Sequence, residues 1–174
     1  MLKTGLILAF LFSIQLLISC TQADKHGNND APNPDIKDST ANIIKDNVEE
    51  FGTLVRLPYE PEEVTWKETA ANPPNSEGAA SHNSKKLTAV LRFSKENAKK
   101  IIAQAEKIQS SEAASLGTEP WFPAELIAQS QLNGDDILKG ASYSAADFYL
   151  PPYTDGRVTR IENTDFFVLK LVSR

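Results

Sequence analysis

The stretch KLTAVLRFSKENAKKIIAQAEKIQS, residues 86–110, contains the two clearest structural patterns in the chain. Its first eight residues alternate, which predicts a β-strand with one buried side. The residues on the apolar side are Leu87, Ala89, Leu91 and Phe93.

A helix is predicted directly after this strand. Ser94 is a suitable N-cap, and Glu96 and Lys100 form an i,i+4 pair on the hydrated side. The apolar residues recur at helical spacing and form one stripe. That stripe consists of Ala98, Ile101, Ile102, Ala105 and Ile108.

The flanking sequence supplies further strands and a second helix. Before residue 86, β-prone runs at 53–57 and 63–67 predict two short strands. After the first helix, residues 111–123 are predicted to be a loop and 123–132 a shorter helix that begins at Pro123. Runs at 145–150, 156–162 and 165–172 predict an antiparallel meander, with the last strand central because both of its sides carry apolar groups.

The order β-β-β-α-α-β-β-β predicts an α+β fold. We expect two layers, a mainly antiparallel sheet covered on one face by about two helices.

The amino terminus has the layout of a secretory signal. Lys3 is followed by an apolar run from Gly5 to Ile18, which is shorter than the about 20 residues of a membrane span. Leu17-Ile18-Ser19-Cys20 resembles the lipobox of bacterial lipoproteins, and Cys20 is the only cysteine in the chain. The resemblance implies cleavage before Cys20, a diacylglycerol thioether on its sulfur and acylation, for example with palmitate, of the new amino terminus. The alternative is an ordinary cleaved signal with a chance cysteine.

Three regions follow from this layout: a signal peptide at 1–19, a lipidated terminus and flexible tether at 20–50, and a single domain at 51–174. The tether is rich in Asn, Asp, Lys and Pro, and it reaches about 30 Å if it behaves as a flexible coil. An alternative for its end is a short helix packed on the domain, because Ile43, Ile44, Val48 and Phe51 have partial helical spacing.

Composition and motifs argue against several classes of function. The formal net charge of −5 disfavours nucleic acid as a partner. The two histidines, His26 and His82, lie in polar segments, and a single cysteine allows no disulfide within the chain. We find no zinc, calcium or phosphate-loop motif, so we expect no metal and no cofactor. Asp135-Asp136 is interpreted as turn chemistry.

Aromatic residues give the only local concentrations that suggest a binding surface. Trp121 and Phe122 precede the second helix, whereas Tyr149 and Tyr153 flank Pro151-Pro152. The structural interpretation is that these side chains fix loops onto the core. The functional interpretation is a small patch for a peptide, a glycan or a partner protein.

The sequence thus favours a membrane-anchored, non-enzymatic binding or envelope-accessory domain of the bacterial cell envelope, on the outer membrane if the source is Gram-negative. Its expected partners are the membrane, through the lipid, and an envelope protein or glycan. One alternative is a small envelope hydrolase that uses loop carboxylates. Another is an immunity-type protein that masks an envelope partner.

Overall fold

In the part of the chain that the structure describes, six strands form one sheet in which every neighbouring pair is antiparallel, in the order β1-β2-β6-β5-β4-β3. The structure, a computed structural model, describes residues 43–70, 84–132, 134 and 136–173. The elements in chain order are α1 Val48–Leu54, β1 Glu63–Ala70, β2 Lys85–Arg92, α2 Lys95–Ile108, β3 Glu112–Gly117, α3 Ala124–Leu132, β4 Ile137–Ser144, a 3₁₀ turn Ala146–Phe148, β5 Tyr153–Ile161 and β6 Phe166–Ser173.

The larger core lies between the sheet and α2, on the side that we call the α2 face. Alternation along β2 and β6 directs every second residue of these strands to this face, where the side chains are buried against α2. These sheet residues are Leu87, Ala89, Leu91, Phe167, Leu169 and Leu171. The cap of α2 forms as predicted, since the backbone N–H of Asn97 donates to Ser94 Oγ at 3.2 Å. Ala98, Ile101 and Ala105 are the buried part of the helix stripe.

A second apolar cluster covers part of the opposite side, the α3 face. There Leu126 of α3 and Phe122 of the preceding loop pack on Val90 and Val168 of the sheet. The predicted α+β class and antiparallel sheet are confirmed. The helices, however, lie on both faces. The residues of β2 and β6 that point away from α2 are also apolar, and α3 packs on them and shields them from water.

Most of the predicted elements agree with the structure. Strands β1, β2, β5 and β6 and helices α2 and α3 occupy the predicted regions, and β6 lies in the interior of the sheet between β2 and β5. The alternation of β2 also holds, although Thr88 and Val90 are buried as well.

The prediction of a strand at 53–57 is wrong, because α1 continues to Leu54 and the residues after it form a loop. Asn47 caps this helix through its side-chain oxygen, which accepts from the N–H of Glu50 at 2.8 Å. Phe51 is buried, with its ring centroid 5.8 Å from that of Trp66. Capping and burial therefore outweigh the β-propensity of the segment. The alternative of a short helix packed on the domain is observed for Val48 and Phe51, whereas Ile43 and Ile44 precede the helix and are exposed.

Two further predictions are wrong. Residues 112–117, predicted to be a loop, form edge strand β3. Residues 145–150, predicted to be a strand, form the 3₁₀ turn and the loop after it. The strand of this region is β4, which lies earlier in the chain, at 137–144. Pairing with neighbours decides these segments, since β3 is bound to β4 along its length although its side chains are mostly small.

The outer edge of β1 is partly closed by the chain before α1. Lys45 and Trp66 exchange both backbone hydrogen bonds, at 2.9 and 2.8 Å. Among the helices of the described ranges, none has the length and apolarity needed to cross a membrane.

Candidate functional site

The four aromatic residues nominated from the sequence lie on two opposite faces of the sheet. Trp121 and Phe122 belong to the α3 face, whereas Tyr149 and Tyr153 pack on the α2 face. They do not form a single patch. Cys20, His26 and His82 lie outside the described residues, as do the signal peptide and most of the predicted tether.

On the α2 face, Tyr153 is only 1% exposed, and its hydroxyl donates to the carboxylate of Glu68. Burial, followed by this hydrogen bond and the charge of Glu68, raises the pKa of Tyr153 far above its usual value. Tyr149 is half-buried and donates to the backbone oxygen of Gly156 at 3.3 Å. Both tyrosines therefore have structural partners.

On the α3 face, Trp121 takes part in a polar cluster. The carboxylate of Glu119 accepts from Trp121 Nε1 at 2.7 Å and from Lys67 Nζ. The Lys67 ammonium also lies 5.1 Å from the centre of the Trp121 ring. Burial opposes ionisation of Glu119, but the two hydrogen bonds and the charges of Lys67 and Lys170 outweigh it and lower the pKa of Glu119.

Strand register places this cluster at one end of a row of cations. Lys67 lies opposite Thr88, Thr88 opposite Lys170, and Lys170 opposite Arg157, so the four side chains cross β1, β2, β6 and β5 on the same face. Neighbouring strands are about 4.8 Å apart. We call Lys67, Thr88, Lys170 and Arg157 the cationic row.

The row lies just beyond the apolar cluster under α3. Thr88 and Lys170 are the next residues on this side of the sheet after Val90 and Val168, which belong to that cluster. Lys86 comes one further step along β2 and is exposed. We call the row together with Lys86 the polar half of the α3 face.

The two ends of the row are neutralised by carboxylates. Lys67 is paired with Glu119, and Arg157 Nη2 lies 2.8 Å from an oxygen of Glu112. Arg157 Nε also donates to Ser142 Oγ at 3.1 Å. These contacts fix the two outer cations in place.

Lys170, in the interior of the row, is placed differently. It is half-buried, and burial together with the positive charge of Lys86 lowers the pKa of Lys170. The negative charge of Glu119 offsets only part of this decrease. Within the described ranges, no carboxylate lies within 4.0 Å of Lys86 or Lys170.

Two surface cavities lie away from this half of the sheet. One, of about 470 Å³, is lined by Gln129, Leu132, Leu138, Lys139, Glu162 and Asn163. The other, of about 410 Å³, is lined by Arg56, Pro58, Gln104, Lys107, Ile108 and Asp147. Neither contains a nucleophile paired with a base. In the part of the chain that the structure describes, no group of three or more His, Cys, Asp or Glu side chains could hold a metal ion.

Comparison with known proteins gives no relative: no family model, curated protein or solved structure matches this chain. Lys67, Lys86 and Lys170 were not predicted as site residues. Alternation assigns a lysine to one side of its own strand, whereas only the register across strands shows which lysines are neighbours.

Proposed function

We propose that this protein is a bacterial lipoprotein, attached to the cell envelope through Cys20, whose α+β domain binds a partner without catalysing a reaction. Support for the anchor comes from the lipobox-like Leu17-Ile18-Ser19-Cys20. The observation that carries the binding role is the polar half of the α3 face. It concentrates four cations on one side of a sheet in a chain whose net charge is −5.

The hydrolase alternative has less support. A general acid needs a raised pKa at neutral pH. Among the described residues, Glu96 and Glu119 have a lowered pKa: that of Glu96 because of the hydrogen bond and charge of Lys100, and that of Glu119 as described above. The geometry therefore favours a binding surface.

The anchor is tested by replacing Cys20. Because attachment would depend on a thioether to its sulfur, Cys20→Ala should abolish incorporation of radiolabelled palmitate and move the protein from the membrane to the soluble fraction. Thr21→Ala, next to it, is the matched control and should leave both unchanged. Retention of the Cys20→Ala protein in membranes would falsify lipid attachment at this residue.

The binding face is tested by photo-crosslinking in cells. A photoreactive residue is placed either at Val172, beside the polar half, or at Ile108, on the carboxyl-terminal end of α2. Both side chains are exposed, by 36% and 52%. We expect a discrete crosslinked product from position 172 and none from position 108.

Substitution of the lysines links that product to the surface. Lys86→Glu reverses a charge beside Val172 and should reduce the yield of crosslink several-fold, whereas Lys99→Glu on the exposed side of α2 should not. Equal yields from positions 172 and 108, or no effect of Lys86→Glu, would contradict binding through this face.

A further inference from the structure

Three hydrogen-bond donors meet in the interior of the polar half. Thr88 and Lys170 are directly opposite in the register, and Lys86 precedes Thr88 by two residues, so all three project to the same side. Side chains directly opposite have Cβ atoms about 5 Å apart, and diagonal neighbours such as Lys86 and Lys170 lie about 7–8 Å apart. Their long side chains can therefore reach one group placed between them.

The electrostatic environment of the three donors favours an anion. Two like charges lie side by side, one of them half-buried, and the carboxylates at the two ends of the row, Glu119 and Glu112, are hydrogen-bonded to Lys67 and Arg157. Asp155 of β5 lies on the same face, opposite Val172. A bound anion would stabilise both ammonium groups at once. Thr88 is 4% exposed, and its hydroxyl can rotate to donate to such a group.

The number of donors indicates the type of anion. A phosphomonoester carries about −1.5 to −2 charges and three terminal oxygens, which matches two ammonium groups and one hydroxyl. A carboxylate offers one charge and two oxygens. A long polyanion is disfavoured, because Glu119 and Glu112 lie at the two ends of the row and the whole chain is acidic.

We propose that Lys86, Thr88 and Lys170 bind the phosphate of a phosphomonoester group on the partner. This inference rests on the proposed function, since it names the chemistry recognised by the same face. Lys67, held by Glu119 and Trp121, lies on the other side of Thr88 and borders the site.

The test is calorimetric titration of the full-length, detergent-solubilised protein with glucose 1-phosphate. We expect saturable binding with one phosphate per chain, weakened at least tenfold by Lys86→Met and by Lys170→Met. Lys139→Met, an exposed strand lysine outside the row, is the matched control and should bind as the unmodified protein does. Equal binding by all variants would overturn the proposal, as would equally tight binding of acetate. Absence of saturable binding both to glucose 1-phosphate and to vesicles that contain phosphatidic acid would also overturn it.

A spectroscopic measurement separates binding from a structural effect of the substitutions. The Cε chemical shift of Lys170, followed against pH, should show a lowered pKa in the free protein that rises on saturation with glucose 1-phosphate. An unchanged titration at saturation would place the phosphate elsewhere and contradict the assignment.

Two sources of the phosphate are separated by a second pair of probes. Vesicles of phosphatidylcholine with and without phosphatidic acid present the group on a bilayer, whereas glucose 1-phosphate presents it in solution. Lysine-dependent binding to either probe supports the site, and the preferred probe identifies the source.

Failure of this inference can be told apart from failure of the proposed function. If the crosslink from position 172 persists in the Lys86→Met, Lys170→Met double variant, the face binds a partner without a phosphate and the inference is wrong. If phosphate binds as expected but position 172 gives no crosslink, the site stands and the proposed partner-binding role is wrong.

Discussion

Tyr153 and Trp121 show how the same sequence signal leads to different environments. Both are aromatic residues near proline, but the hydroxyl of Tyr153 is buried against Glu68, whereas the indole N–H of Trp121 joins a half-exposed cluster beside the cationic row. Only the second is placed to contribute to a surface. The difference depends on which face each residue occupies, and local sequence does not specify it.

The buried hydroxyl of Tyr153 predicts a specific pH dependence. Because its pKa is raised in the folded protein, it contributes stability that is fully present below its unfolded pKa of about 10 and is lost as the pH rises above that value. Between pH 9 and 11, the free energy of unfolding should fall more steeply for the unmodified protein than for Tyr153→Phe. Urea unfolding at each pH measures this difference.

At neutral pH, Tyr153→Phe should be less stable by roughly 1–2 kcal/mol, since it loses a hydrogen bond to a charged carboxylate. Parallel pH profiles for the unmodified protein and Tyr153→Phe would show that the Tyr153 hydroxyl does not carry this linkage.

Lys170 marks the limit of residue-level prediction. The alternation of β6 correctly assigns it to the side opposite Leu169 and Leu171. Its proximity to Lys86 and Arg157, however, depends on two strand pairings that join distant parts of the chain. The residues of the candidate site are therefore brought together by the register between strands.

At the scale of elements, prediction succeeded where periodicity and end signals agreed. Helix α2 has a cap, an amphipathic stripe and an ion pair in one segment, and β2 has uninterrupted alternation. Strands β3 and β4, EAASLG and ILKGASYS, have small residues and weak alternation. Their extended conformation is supplied by pairing with each other and with β5.

Gly140 shows what close pairing of β4 and β5 requires. A Cβ atom at this position would lie 2.2 Å from the backbone oxygen of Arg160 on the neighbouring strand. Gly140→Ala should therefore force the strands apart and lower the free energy of unfolding by about 1–3 kcal/mol.

Gly117→Ala is the matched control for that substitution, because a Cβ at the end of β3 has no atom within 4 Å. Its stability should stay within about 0.5 kcal/mol of the unmodified protein. Urea denaturation of both variants makes the comparison, and equal stabilities would show that β4 can move away from Arg160 at no cost.

At the scale of the whole molecule, fold class followed from the sequence, whereas the distribution of helices over two faces did not. The packing of α3 on the second face depends on contacts of Phe122 and Leu126 with Val90 and Val168, which are distant from them in the chain. The apolar cluster under α3 ends before the cationic row, and the polar half therefore occupies one end of the α3 face.

The proposed function joins this face to an anchor at the other end of the chain. A lipid on Cys20 would keep the domain within reach of the envelope. Two acyl chains or more would make attachment stable, since one chain gives only weak, reversible membrane binding.

Lipid attachment is tested most directly by the mass of the amino-terminal peptide of the protein purified from bacterial membranes. Attachment through Cys20 predicts a peptide that begins at this residue and carries a diacylglycerol thioether on its sulfur. A peptide that begins at Met1, or one cleaved elsewhere with a free Cys20 thiol, would contradict it.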